Sequence, residues 1–309
     1  MRGAFIRTLA ELAECDSRIV LLTGDLGYAV LEPFSDKFQD RFINVGVAEQ
    51  NMVGLATGLA EAGLIPFVYS IVPFAVLRPF EFIRNGPILH QFPVRIVGIG
   101  GGMEYGSNGV SHYGLEDIGV LRTQPGITLI APADYEQARS SLLATWDLPC
   151  PVYYRLGKDD KNVVPGLSGR FELGRAQFIG EGTDILIITM GSIASEVAST
   201  IEILYTQGIS CTMMIIASMN PPPVDDIEEA LAQFRLALTV EAHYIIGGVG
   251  SLVSEVIAER GLPCRLVRCG VKVTPNGITG SQEYMYRAYG LSAEMLTMTA
   301  IQAIRELKC

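Results

Sequence analysis

The amino-acid sequence predicts an α/β fold of two domains, each a mostly parallel sheet flanked by helices. Three observations lead there. Apolar runs of strand length alternate with helical patterns, and this alternation occurs twice along the chain. Between the two series, LGKDDKNVVPGLSGRFELG (156–174) raises the charge and gathers Pro and Gly, the composition of a linker. The 309 residues are 49% hydrophobic and 18% charged with 33 glycines, which suits two cores built on strands buried on both faces.

Taken in order, MRGAFIRTLAELAECD reads as an amphipathic helix. It lacks the uninterrupted apolar centre of a signal peptide, and no run reaches membrane-spanning length, so a cytoplasmic protein is expected. Strands follow in RIVLLTG (18–24), RFINVG (41–46), IPFVYS (65–70), VRIVGIG (94–100) and ITLIAP (127–132), with helices near 48–62, 74–90, 114–123 and 134–146. The second series contains strands in DILIITMGS (184–192), SCTMMIIA (210–217), ALTVEA (237–242) and CRLVRCG (264–270). Its helices fall near 192–207, 225–233, 248–260 and 291–306. These elements divide the chain into domains 1–165 and 166–309, joined within 160–178.

Composition also limits function. A net charge of -10 argues against a broad nucleic-acid surface or an anionic-membrane surface, since both need clustered Lys and Arg; a small-molecule ligand stays open. Six cysteines without a CxxC pair indicate neither a zinc site nor a disulfide framework. The segment GIGGGMEYGSNGVSH (98–112) follows a strand but fits neither the GxGxxG nor the Walker phosphate pattern. In VEAHYIIGGVGSLVSE (240–255), Gly248 and Gly250 start a dinucleotide pattern whose third glycine position holds Val253. His243 beside them is read as structural, at a domain or subunit contact.

Several stretches together resemble the transketolase family, in particular the separate C-terminal subunit of split transketolases. They are FINVGVAEQNMVGLATGLA (42–60), IPFVYS, IRNGP (83–87), GSNGVSHYGLEDIGVLRTQPGITLIAPAD (106–134), TVEAHYIIGGVGSLVSEVIAE (239–259) and YGLS (289–292). They cover nearly the whole chain in the family's order. The resemblance implies a pyrimidine-binding domain followed by a transketolase C-terminal domain, and thiamine diphosphate with Mg2+ as cofactors. The family's GlyAspGly element and later Asn, which hold magnesium and diphosphate, have no counterpart: TGDLGY (23–28) reads Gly24, Asp25, Leu26 and matches another part of the family. An N-terminal diphosphate-binding subunit is therefore the implied partner, holding most of the Mg2+ in an α2β2 assembly.

Glu49 is the sharpest site candidate. On its own it is a helix N-terminal acid, favoured by the macrodipole at about 0.3 to 1 kcal/mol. The resemblance makes it the catalytic, cofactor-binding carboxylate, hydrogen-bonded to the aminopyrimidine so that this ring can take the thiazolium proton. That role needs shielding from water, expected from Val45, Val47 and Met52. Among Tyr69, Phe74, Phe80 and Phe82, Phe74 falls where the family stacks the pyrimidine. Arg78 reads equally as a surface salt bridge or, by resemblance, as a substrate-facing cation.

His112 corresponds to a histidine that contacts the donor, so it is expected to bind substrate and assist proton transfer. Asn108, also on the donor side, replaces an aspartate that reads hydroxyl stereochemistry. Gly100 and Ala131 replace a phosphate-binding histidine and arginine. Each lost charge-assisted hydrogen bond is worth roughly 1.5 to 3 kcal/mol, so the donor is either not a standard ketose phosphate or is held differently, for instance by the partner. Gly54 and Gly58 read as helix packing inside the chain, to which the resemblance adds a subunit interface.

The expected function is transfer of a two-carbon ketol or related acyl-anion unit from a ketose or 2-oxoacid donor to an aldehyde acceptor. The alternatives are a 2-oxoacid dehydrogenase beta subunit, sharing the cofactor chemistry, and a non-catalytic assembly subunit that has kept the fold.

Overall fold

A computed structural model describes residues 1–161 and 163–307. The first six strands are β1 (Ile19–Thr23), β2 (Phe42–Asn44), β3 (Ile65–Ile71), β4 (Arg95–Ile99), β5 (Thr128–Ile130) and β6 (Val152–Leu156). They are followed by β7 (Gln177–Ile179), β8 (Ile185–Thr189), β9 (Cys211–Ile215), β10 (Ser218–Asn220), β11 (Leu236–Tyr244) and β12 (Arg265–Val271). A seven-stranded sheet runs β10-β5-β6-β4-β3-β1-β2, and a five-stranded sheet runs β12-β11-β8-β9-β7. Every pairing is parallel except those of the two edge strands β10 and β7. The central strands β1, β4, β6, β8 and β9 are buried along their whole length, which is why most of them read as unbroken apolar runs.

The helices are α1 (Arg2–Cys15), α2 (Glu32–Ser35), α3 (Glu49–Glu61), α4 (Val72–Val76), α5 (Phe80–Ile83), α6 (Asp117–Arg122) and α7 (Tyr135–Thr145). Then come α8 (Ala194–Thr206), α9 (Val224–Gln233), α10 (Val249–Arg260), α11 (Gln282–Ala288) and α12 (Ala293–Leu307). The stripe Phe5, Leu9 and Ala13 seats α1 against the sheet. The helix expected over 74–90 is instead α4, α5 and a π-turn over Arg84–Ile88. Pro79 and Pro87 account for the breaks, because each lacks the N–H that an uninterrupted helix needs, whereas Pro73 sits in the first turn of α4, where that N–H is not needed.

Three strands escaped sequence reading, β6, β10 and the three-residue β7. The run of β6, VYYRL, carries a buried arginine and so lacks an apolar signature; β10 is only three residues long. β10 follows the expected domain joint, yet it returns to pair with β5, Ser218 opposite Ile130, and so completes the first sheet. Across the same junction Arg155 donates to the carbonyls of Gly114 and Ala242 at 2.8 and 2.9 Å, and ion-pairs with Asp117 at 2.9 Å. His243 accepts the Gly119 N–H on Nε2 at 3.3 Å, so it stands at the contact between domains. Gly119 and Gly247 meet there so closely that a Cβ on Gly247 would lie 2.6 Å from the Gly119 Cα.

Candidate functional site

Strands β4, β3, β1 and β2 are neighbours in the first sheet and all parallel, so the loops leaving their carboxyl ends converge. Such a rim is where open α/β sheets bind ligands. β2 leads to Glu49, β3 to Phe74 and Arg78, and β4 to the loop holding His112. β1 leads to Gly24 and Asp25, which form a structural loop: the Asp25 N–H donates to Asn44 Oδ1 at 3.0 Å. The same Asn44 oxygen accepts from Gly46 N, whose φ of +72° makes the turn into α3.

Glu49 is the first residue of α3 and only 3% exposed. Its Oε2 accepts from Arg78 Nη1 at 2.9 Å and its Oε1 from the buried Ser70 hydroxyl at 3.4 Å. The shielding differs from expectation. Met52 is fully buried, but Val47 is 71% exposed because it precedes the helix and points away from the sheet. Ser70 and Arg78 cover the carboxylate instead, and Gly24 lies close enough that a Cβ there would be 3.5 Å from Glu49 Oε1.

Phe74 sits in α4 and Arg78 follows one helical turn later, so the two share a side. The Arg78 guanidinium carbon lies 3.9 Å from the Phe74 ring centroid. His112 meets Phe74 edge-on, centroids 5.0 Å apart at 70°, and its Nδ1 is 3.0 Å from Ser111 Oγ. Partial burial, then the nearby Arg78 charge, holds the His112 imidazole below its ordinary 6.5, so the ring is neutral at pH 7. Four expected residues, Glu49, Arg78, Phe74 and His112, therefore form one continuous cluster.

Asn108 is exposed in the same loop, and its Oδ1 accepts from Ser107 Oγ at 3.4 Å. Among the described residues no hydrogen bond joins it to Glu49 or His112. Gly100, at φ +76°, has its side-chain space filled by the Tyr105 ring, which a Cβ there would overlap. Ala131 is fully buried, its backbone bonded to Ala217 and Gly191. Neither position leaves room for a phosphate contact.

Tyr105 and Ser70 were missed by sequence reading. Tyr105 lies 6.4 Å from His112, with the Lys158 ammonium 4.7 Å over its ring. The signal for each was faint: an aromatic residue inside a glycine-rich loop, and one hydroxyl ending an apolar strand.

The cluster offers a shielded carboxylate, an aromatic face and a neutral imidazole. The guanidinium itself shows the slot's capacity, since a flat N–H donor lies over Phe74 while bonding Glu49. An aminopyrimidine has that same flat shape, and its ring nitrogen, sharing a proton with the carboxyl group, would take the place of the guanidinium nitrogen, so these residues fit one. Among the described residues no group of three His, Cys, Asp or Glu side chains is placed to hold a metal ion, and no helix is long and apolar enough to cross a membrane.

Comparison with known proteins matches residues 1–162 to "Transketolase, pyrimidine binding domain" and residues 174–296 to "Transketolase, C-terminal domain". A putative transketolase C-terminal section from Methanocaldococcus jannaschii is 34% identical over 310 residues, covering 99% of this chain and 96% of its own length. One of the subunits of an apulose-4-phosphate transketolase, from Phocaeicola vulgatus, is 33% identical, covering 99% and 97%. A solved structure described as a split gene transketolase, inactive beta4 tetramer, superposes with a TM-score of 0.86 at 31% identity, covering 98% of this chain and 97% of its own.

Proposed function

The chain belongs to the transketolase family, and from that premise we propose that it is the pyrimidine-binding subunit of a heteromeric, thiamine diphosphate-dependent transferase. It moves a two-carbon ketol or related acyl-anion unit from a ketose or 2-oxoacid donor to an aldehyde acceptor. An N-terminal diphosphate-binding subunit, the counterpart suggested by the subunit character of the relatives, holds the diphosphate and most of the Mg2+ in an α2β2 complex.

The observation that carries this reading is the burial of Glu49 at 3% exposure, linked through Arg78 to the Phe74 ring, at the carboxyl ends of the central strands. When bound, thiamine diphosphate supplies the carbon nucleophile that accepts and passes on the two-carbon unit. Glu49 shares a proton with the ring nitrogen of the aminopyrimidine, and Ser70 orients its carboxylate. Phe74 presents the stacking face. His112, neutral at pH 7, can take or give a proton at the donor hydroxyl. Asn108 and Arg78 line the donor side of this arrangement.

Glu49→Gln, tested in the chain co-purified with its partner, keeps the shape and removes the acid. Turnover should fall by about 10²- to 10⁴-fold, the usual worth of one proton-transferring group. Retention of full turnover overturns the proposal. Gly100 and Ala131 favour the second reading, a non-catalytic assembly subunit, because the space at both is closed. A donor screen with pyruvate and with phosphorylated and free ketoses separates the two.

A further inference from the structure

Arg78 satisfies both halves of the Glu49 and Phe74 slot by itself. Its guanidinium carbon is 3.9 Å from the Phe74 centroid while Nη1 donates to Glu49 Oε2 at 2.9 Å. A guanidinium is planar, stacks on aromatic faces and donates in a fork toward carboxylates. An aminopyrimidine would use the same aromatic face and the same carboxylate.

We propose that Arg78 is an internal placeholder that competes with the aminopyrimidine of the coenzyme for this slot, so that coenzyme binding requires its side chain to swing out. The inference rests on the functional reading above and adds a control of coenzyme affinity to it.

Two features make the exchange feasible. The Arg78 side chain is 44% exposed although its partner is 2% exposed, so the stem leads outward from a buried contact. Among the described residues its side-chain hydrogen bond is to Glu49 alone, whereas its backbone is held through the Pro73 carbonyl at 3.4 Å. Release is therefore a rotation of the side chain, with α4 left in place. The released cation stays at the rim beside His112, on the side from which a donor would enter.

Removing a competitor lowers the apparent dissociation constant by the fraction of time the slot was blocked. If Arg78 fills the slot nine-tenths of the time, Arg78→Met should tighten binding by about tenfold. Met matches the length of the apolar stem, lacks the flat cation that stacks on the ring, and cannot donate to Glu49. Arg78→Lys keeps the charge without the flat fork and should tighten binding by a smaller factor.

The measurement is calorimetric titration of thiamine diphosphate, at saturating Mg2+ and without donor, into the complex of this chain with its diphosphate-binding partner. Thermal melting verifies that each variant is folded. Tighter binding by Arg78→Met than by wild type, with Arg78→Lys between them, is the expected result. Equal or weaker binding by Arg78→Met overturns the placeholder while leaving the functional reading intact. Absence of thiamine diphosphate binding by the wild-type complex overturns the functional reading, and the placeholder with it.

Discussion

Glu49 shows how differently one residue reads in the sequence and in the fold. Along the chain it is an acid at a helix start; in space it is shut off from water by a serine 21 positions on and an arginine 29 positions on. The neighbours expected to bury it included the adjacent valines, and Val47 faces solvent instead. Short-range reasoning picked out a carboxylate that the fold does bury, and only part of its shield. His112 carries a direct test of the cluster's electrostatics. Proton NMR should give it a pKa below 6.5, with burial as the main cause and the Arg78 cation as the second. Buried His243, held down to about 4, is told apart by that lower value. Arg78→Met removes the cation, so the His112 value should rise; an unchanged value would place the guanidinium away from the ring.

Helix α3 carries two faces with opposite tasks. Met52, Val53, Ala56 and Ala60 are buried against the sheet, while Gly54 and Gly58 are exposed, contrary to their reading as internal packing. A Cβ at Gly58 would meet nothing within the chain. Exposed glycines inside a helix cost roughly 0.5 to 1 kcal/mol each relative to alanine, and nothing at Gly58 within the chain offsets that cost. A partner whose backbone approaches closely would. Gly58→Leu should therefore leave the melting temperature of the isolated chain equal or higher and weaken assembly with the diphosphate-binding subunit at least tenfold, read by size-exclusion chromatography. Undiminished assembly would remove α3 from the interface. The proline-broken stretch over α4 and α5 is the converse case, where one expected helix becomes short pieces while Arg78 stays one turn from Phe74.

Over the whole molecule, the two sheets are tied together by β10, Arg155 and His243, and this junction has a pH signature. His243 is held to about 4 by burial, and it donates from Nδ1 to the Tyr244 carbonyl at 2.6 Å while Nε2 accepts from Gly119. Between 6.5 and about 4 the unfolded chain binds a proton at this residue that the folded chain refuses. The stabilisation is thus complete above 6.5 and is lost as pH falls, by up to about 3 kcal/mol. Asp117 and Arg155 face the ring, as does Glu241, whose carboxyl burial raises to about 7 and whose own slope has the opposite sign. Because Glu241 is common to both proteins, the comparison is wild type against His243→Gln. Wild type should lose more melting temperature than the variant between pH 6.5 and 4.5; parallel losses would show that His243 is not the titrating group. The α/β class, the two series of elements, the Glu49 segment and the His112 loop were all legible in the chain, because apolar periodicity and short motifs are local properties. Tertiary structure alone decided that β10 belongs to the first sheet, that Tyr105 fills the space beside Gly100, and that Arg78 reaches Glu49 across Phe74. Those outcomes depend on which distant groups meet when the loops of parallel strands converge, and spacing along a chain does not encode that meeting.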